Sequence, residues 1–136
     1  MDCLFCKIIA KQIPANVVYE DEKIIAFLDI NPVNPGHLLV VPKIHSENIA
    51  VADDEDLVAL SLAVKKLAPA VCAATVCDGW NLEVNNGNAA GQAVDHTHWH
   101  IVPRHKDDGL KHWLGHPYAA GEAAIVVEKI KLRLEK

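Results

Sequence analysis

Apolar residues recur along the chain with two different periods, and these periods predict its helices and strands. Spacing of three and four residues predicts helices over 3–11, over 122–135 and after Asp53. Alternation and short β-branched runs predict strands over 17–20, 24–28, 37–41, 80–85 and 96–102. Residues 31–36 read Asn-Pro-Val-Asn-Pro-Gly, which is typical of a loop. The chain therefore combines several short strands with a few helices.

The longest predicted helix begins at the acidic run Asp53, Asp54 and Glu55, because negative charge is favourable at a helix N-terminus. Its apolar face is carried by Leu57, Leu60, Val64, Leu67 and Val71. Pro69 falls inside this helix and is expected to kink or shorten it, since proline has no backbone N–H to donate.

The order of the elements favours an α+β fold. Neighbouring strands are typical of hairpin partners, and no strand–helix–strand unit is repeated. We therefore predict one domain over 1–136, with an antiparallel sheet of about five strands and helices packed on it. The segment from about 105 to 136, which contains Trp113, is expected to form a tail that closes over the functional site.

Composition limits the class of protein. The 136 residues are 51% hydrophobic and 23% charged, which suits one core but not two. The formal net charge of -5 argues against binding along nucleic acid, because phosphate backbones require clustered Lys and Arg. No apolar run approaches the roughly 18 residues of a membrane span, and no signal-peptide core follows Met1. We expect a soluble, cytoplasmic protein that can still bind a small nucleotide.

The candidate chemistry is concentrated at His96, His98 and His100, which occupy every second position of a predicted strand. Alternation sends all three imidazoles to one face. At about 3.3 Å per residue the outer two lie roughly 13 Å apart, too far for one metal bound at about 2.1 Å. A neutral imidazole is instead a good nucleophile toward phosphorus near neutral pH, and the middle ring, His98, is the natural candidate.

A loop suited to phosphate precedes this strand. Residues 85–92 read Asn-Asn-Gly-Asn-Ala-Ala-Gly-Gln, and Asn-Gly between two strands is a strong hairpin signal. Such a loop also exposes backbone N–H groups that can hold phosphate oxygens without a cationic side chain. The loop and the histidines together predict an anion site beside a nucleophile.

These motifs resemble those of the histidine triad family of nucleotide hydrolases and transferases, whose members carry His-φ-His-φ-His-φ-φ, where φ is hydrophobic. The resemblance covers nearly the whole chain: the histidine run, the adjoining loop, and the segments 3–9, 27–32 and 35–45. It implies a homodimer and cleavage at the α-phosphorus of a purine nucleotide conjugate through a nucleotidyl-histidine on His98. The leaving group stays open among phosphoramidates, aminoacyl adenylates and dinucleoside polyphosphates.

The resemblance also implies a role for each matching residue. His96 and His100 would orient and protonate around His98, while Asp29 would bind the ribose hydroxyls between Phe27 and Ile30, which line the base slot. The phosphate would be contacted by Asn85, Gly91, Gln92 and the Ala93 backbone. His45 would either stand beside the nucleophile or bind zinc.

This sequence departs from the usual family pattern at three positions. Thr97 is polar where the family usually has an aliphatic residue, and Ala93 replaces a Ser or Thr that touches phosphate in some members. Asp95 could raise the pKa of His96 by favouring its charged form.

Cys3 and Cys6 form a Cys-x-x-Cys pair, which needs two further ligands to hold structural zinc. Similarity to some bacterial members suggests His45 and His96 as these ligands, and the alternative is a metal-free pair of thiols. Cys72 and Cys77 are interpreted as small buried side chains, because four cysteines without an export signal do not indicate disulfides.

Two alternatives to this enzyme remain open. The first is a non-catalytic zinc- or nucleotide-binding interaction module, and the second is a hydrolase with a catalytic metal on His96 and His98. His37, His105, His112 and His116 are predicted to be surface or packing residues, and Arg104 a solvated charge.

Overall fold

The computed structural model describes residues 2–111 and 113–135. Its five strands are β1 (Val17–Glu20), β2 (Ile24–Leu28), β3 (Leu38–Pro42), β4 (Gly79–Glu83) and β5 (Trp99–Arg104). Its three α-helices are α1 (Leu4–Ile9), α2 (Asp54–Thr75) and α3 (Glu122–Leu134), and short 3-10 turns cover Ile49–Val51 and Asn88–Ala90. The predicted α+β class is confirmed, with every strand pair antiparallel.

The strands form one five-stranded sheet in the order β1-β2-β3-β5-β4. Strand β5 therefore inserts between β3 and β4, and Leu39 lies opposite His100 in the β3–β5 register. Leu39 and His100 consequently share one face of the sheet, because directly opposed residues of an antiparallel pair point the same way.

Helices cover both faces of the sheet. Helix α2 packs Leu60, Val64 and Leu67 against one face, which also buries Trp99 and Ile101. On the other face α1 packs Phe5 and Ile8 against residues of β2 and β3, namely Ile25, Phe27, Leu39 and Val41. Strands β2 and β3 are buried on both faces for this reason, which explains their continuous apolar sequences.

Helix α2 continues through Pro69 to Thr75, so the predicted shortening of this helix is wrong. The proline ring lies on the exposed face, where water can bond the Lys65 carbonyl that loses its helical partner. Among the described residues α2 also has the length and apolar composition of a membrane span, contrary to the expectation from the sequence. It serves here as the core helix, with six residues buried against the sheet side of the domain.

The cysteines of α2 also differ from the prediction. Cys72 and Cys77 are half-buried and joined by a disulfide, rather than being buried thiols. The chain reverses at Val76 after the last turn of α2, and this reversal brings the two Cα atoms within 4.9 Å. Spacing alone did not indicate a pair because that reversal is not visible in the sequence.

The last strand begins later than predicted, since regular pairing starts at Trp99 rather than His96. Thr97 instead bonds the segment that follows β3: its N–H donates to the Ser46 carbonyl at 2.7 Å, and the two hydroxyl groups are also 2.7 Å apart. The side chains nevertheless still alternate, so His96 and His98 both contact Phe5 on the α1 face.

Candidate active site

Two cysteines and two histidines form a cluster beside the sheet. Cys3 caps the N-terminus of α1, and its Sγ accepts from the Cys6 N–H at 3.4 Å, which turns both sulfur atoms to the same side. His96 Nδ1 lies 3.4 Å from Cys3 Sγ and 3.5 Å from Cys6 Sγ. His45 Nδ1 lies 3.5 Å from Cys6 Sγ and 3.1 Å from His96 Nδ1.

These separations suit a tetrahedral zinc ion. Bonds of about 2.3 Å to sulfur and about 2.0 Å to nitrogen place tetrahedral ligand atoms roughly 3.3–3.8 Å apart, close to the observed distances. His96 Nε2–H donates to the Pro42 carbonyl at 2.8 Å, so the lone pair of Nδ1 points into the cluster. Of the two roles predicted for His45, the geometry supports that of metal ligand.

Burial sets the charge of this cluster. Burial lowers the pKa of His96, which keeps its ring neutral and able to ligate, so the expected upward effect of Asp95 is wrong. Burial also raises the pKa of the Cys6 thiol, with the Cys3 thiol adding to the effect. A metal ion would reverse this preference for the thiol by stabilising the thiolates.

His98 is held in one tautomer by the backbone. Its Nδ1–H donates to the His96 carbonyl at 2.6 Å, which leaves the lone pair on Nε2. The ring of Phe5 meets it edge-on with centroids 5.0 Å apart, and the ring of His100 lies at the same centroid distance. In this tautomer of the neutral ring, Nε2 carries the lone pair and has a fixed orientation.

His100 is paired with His37, for which the sequence predicted only a surface or packing role. The Val33 N–H donates to His37 Nδ1 at 3.1 Å, so the neutral ring carries its proton on Nε2. That nitrogen lies 2.9 Å from His100 Nδ1 and donates to it, which leaves the proton of His100 on Nε2. The β3–β5 register could have revealed the pair, because His37 shares a face with Leu39.

Burial keeps this histidine pair neutral. It lowers the pKa of His100 to about 4, and the nearby His98 and His37 rings act in the same direction. Burial also lowers the pKa of His37, against an opposing effect of Asp29, whose Oδ2 lies 3.6 Å from His37 Nε2. Both rings are thus hydrogen-bonding neutral imidazoles at neutral pH.

The residues expected at the nucleoside end lie at the end of β2. Phe27 is buried and meets Phe5 edge-on with centroids 5.5 Å apart. Asp29 Oδ1 accepts from the Asn31 N–H at 2.8 Å, so this carboxylate closes a turn and still has Oδ2 directed toward His37. Ile30 is 87% exposed and lies at the surface of this region.

The side chain of Gln92 fixes the predicted phosphate loop over 85–93 through hydrogen bonds. Its Oε1 accepts from the Gly87 N–H at 2.8 Å, and its Nε2 donates to the Glu47 carbonyl at 2.6 Å. The side chain of Gln92 therefore fixes the loop, while Ala93 is exposed. Asn85 lies beside Gly91, whose φ of +91° suits glycine.

Arg104 is an ion-pair residue rather than a solvated charge. Its guanidinium binds Asp108 with two hydrogen bonds, of 2.9 and 2.7 Å, and holds the pKa of that carboxyl well below its usual range. Asp108 also accepts from the Asn34 amide at 2.9 Å, which ties the end of β5 to the loop before His37.

The C-terminal segment is largely exposed to solvent in this chain. Trp113 and Leu114 are 95% and 99% exposed, and none of the residues Glu122–Leu134 is buried. His105 is half-buried and His116 exposed, while His112 lies outside the described residues.

Comparison with known proteins identifies a matching family profile and several similar proteins. The HIT domain profile matches residues 10–107. An uncharacterized HIT-like protein of Methanocaldococcus jannaschii is 52% identical over 79% of this chain and 82% of that protein. An adenosine 5′-monophosphoramidase of Schizosaccharomyces pombe is 35% identical over 99% of this chain and 100% of that protein. An adenylylsulfatase of Arabidopsis thaliana is 42% identical over 80% of this chain and 55% of that protein.

Solved structures have the same fold. A HIT family member from Bacillus subtilis superposes with a TM-score of 0.88 at 42% identity, covering 98% of this chain and 97% of that chain. A zinc-bound histidine triad family protein from Mycobacterium smegmatis superposes with a TM-score of 0.78 at 31% identity, covering 100% of this chain and 99% of that chain.

Proposed function

The chain belongs to the HIT domain family, and on that premise we propose that it hydrolyses purine nucleotide conjugates at the α-phosphate. Relatives named as a phosphoramidase and an adenylylsulfatase support a hydrolase that acts on adenosine conjugates. The observation that carries the proposal is the hydrogen bond from His98 Nδ1–H to the His96 carbonyl, because it leaves Nε2 free to attack.

In the first step His98 Nε2 attacks the α-phosphorus, forming a P–N bond as the bond to the leaving group breaks. The anionic substrate favours one added proton on the His37–His100 pair, and His100 passes that proton from Nε2 to the leaving atom. In the second step a water molecule attacks phosphorus and gives one proton back to the His37–His100 pair. The P–N bond breaks at the same time, and its electron pair returns to Nε2 of His98. The loop over 85–93 would hold the phosphate oxygens, and Asp29 the ribose hydroxyls.

Zinc has a separate place in this proposal. Cys3, Cys6, His45 and His96 would bind a structural zinc ion, and the ion would fix α1 against the sheet. Catalysis would need no metal, since the nucleophile and the proton-transfer pair lie outside the cluster. Only two of the three triad histidines, His98 and His100, would then take part in the chemistry.

We also propose a homodimer. Strand β4 is an open edge of the sheet, and Trp80 and Leu82 on it are 41% and 43% exposed. Helix α3 likewise presents Ile130 and Leu132 to solvent. Apolar groups at an open edge are stabilised when a second copy covers them. Light scattering should give the mass of two chains, and the Leu82→Lys variant should shift it toward one.

Trapping the covalent intermediate tests the chemistry. Adenosine phosphoramidate, adenylyl sulfate and a dinucleoside polyphosphate are each mixed with the protein, quenched without acid and measured by intact mass. We expect an adenylyl adduct on His98 and a loss of several orders of magnitude in rate for His98→Ala, with nucleotide affinity retained. His105→Ala is the matched control and should keep the parent rate. Binding of AMP without turnover of any conjugate would favour the non-catalytic module instead.

A further inference from the structure

The disulfide between Cys72 and Cys77 closes the C-terminal end of α2, on the side of the domain away from the zinc cluster. We propose that this pair is a thiol–disulfide exchange site that locks a strained helix end and, through it, the turn that carries His37. The effect on catalysis rests on the proposed function, whereas the lock itself does not.

The strain lies at Val76, the C-cap residue of α2. Its φ of 53° and ψ of 44° are left-handed, a conformation that glycine or asparagine usually supplies and that a β-branched residue rarely adopts. Such residues persist only where the surrounding structure holds them. Here Val76 is 81% exposed, so packing holds it little. The disulfide between residues 72 and 77 is the covalent restraint on this turn. Hydrogen bonds add to it: the Val76 and Cys77 N–H groups both donate to the Cys72 carbonyl, the latter at 3.0 Å, and the Asp78 N–H donates to the Arg104 carbonyl at 2.9 Å.

The same helix end supports the turn before His37. Thr75 Oγ1 donates to the Val71 carbonyl at 2.9 Å, which fixes the rotamer of Thr75. A Cβ at position 36 would lie only 2.7 Å from Thr75 Cγ2 and 3.4 Å from Val71 Cγ1, so Gly36 is packed directly on α2. His37 follows at once, and its N–H is bound to the Asn34 carbonyl within this turn. Loosening Thr75 therefore loosens the backbone that positions the His37–His100 pair.

The exchange step requires a dithiol reductant, such as a thioredoxin-type protein. A thiolate of the reductant attacks one sulfur of the pair and breaks the S–S bond, which forms a mixed disulfide. The second thiol of the reductant then attacks the mixed disulfide and releases the protein thiol. Two electrons have passed to Cys72 and Cys77, and the reductant leaves as a disulfide. Access is provided by the exposure of Val76 between the two half-buried cysteines.

Amide hydrogen exchange tests the lock. Zinc-replete protein is compared before and after reduction with a thioredoxin-type dithiol, and peptide mapping of alkylated thiols separates residues 72 and 77 from the zinc-binding cysteines. We expect exchange to accelerate about tenfold or more over 75–78, and to a smaller extent at the amides of Gly36 and His37. Exchange in β2 should stay unchanged as the internal control. The Cys72→Ser, Cys77→Ser double variant should behave as the reduced protein in every buffer.

The Val76→Gly variant separates strain from simple loss of a cross-link. Glycine adopts this backbone without strain, so its exchange over 75–78 should stay slow after reduction. Equal exchange in the oxidised and reduced parent protein would overturn the proposal, and so would failure of a small-molecule disulfide to re-form the bond. Nucleotide turnover should fall severalfold on reduction. If neither redox state turns over nucleotide, the proposed function fails while the exchange data still decide the lock.

Discussion

The histidine pair makes the stability of the protein depend on pH through His100. Burial lowers the pKa of His100 from 6.5 to about 4, so the folded protein resists a proton that the unfolded chain accepts. The stabilisation is therefore fully present above pH 6.5 and is lost as the pH falls toward 4. Each pKa unit corresponds to about 1.4 kcal/mol, so the whole interval corresponds to at most about 3.5 kcal/mol. By about pH 5 the expected loss is about 2 kcal/mol.

The assay is urea unfolding of the parent and of His100→Gln at about pH 7.5 and about pH 5, with zinc in excess in both buffers. Protonation of other histidines and competition for zinc in the unfolded chain contribute equally to both proteins and cancel in the comparison. We expect His100→Gln to lose about 2 kcal/mol less than the parent over this interval. His116→Gln removes an exposed histidine instead and should lose as much as the parent. Identical losses in the parent and His100→Gln would refute this account of the pair.

Three further predictions concern the proposed zinc site, the proposed ribose contact of Asp29 and the packed Gly36. Protein purified without a metal-affinity tag should contain about one zinc ion per chain, and Cys3→Ser should lower both this content and the unfolding temperature. Asp29→Ala should weaken nucleotide binding and erase the preference for ribose over deoxyribose substrates in competition assays; unchanged discrimination would make Asp29 a turn residue only. Gly36→Ala should cost about 2 kcal/mol or more in urea unfolding, and Thr75→Ser, which removes the opposing methyl group, should recover part of that loss.

Much of the fold could be predicted because its signals are local. Strands β1 and β2 match their predicted bounds, and the acidic N-terminus of α2 lies one residue from its predicted start. The start of β5 could not be predicted, since Thr97 leaves the sheet ladder to bond Ser46, a residue 51 positions away. The shortening predicted at Pro69 does not occur for the related reason that the effect of a proline depends on which side of α2 meets water.

The site shows the same division between local and long-range information. The alternation of the three histidines and their neighbours in sequence are enough to propose His98 as the nucleophile. The role of His37 cannot be predicted in this way, because it depends on the register between β3 and β5. It also depends on the turn that places the Val33 N–H against the ring of His37. The Cys72–Cys77 bond depends likewise on one left-handed residue, Val76, whose conformation no propensity rule anticipates.

The position of β5 in the sheet has a consequence for biosynthesis. Strand β3 ends at Pro42, but its second neighbour, β5, begins only at Trp99, after β4 has been made. During translation, more than fifty residues are therefore added between β3 and the strand that pairs with its Leu-Leu-Val-Val edge. That edge stays unpaired in the nascent chain and can pair with a wrong strand. The strand that carries His100 is the one that closes this gap. The histidine pair therefore forms in the same step that covers the exposed edge of β3, so a chain stalled before β5 lacks this pair and is prone to aggregate.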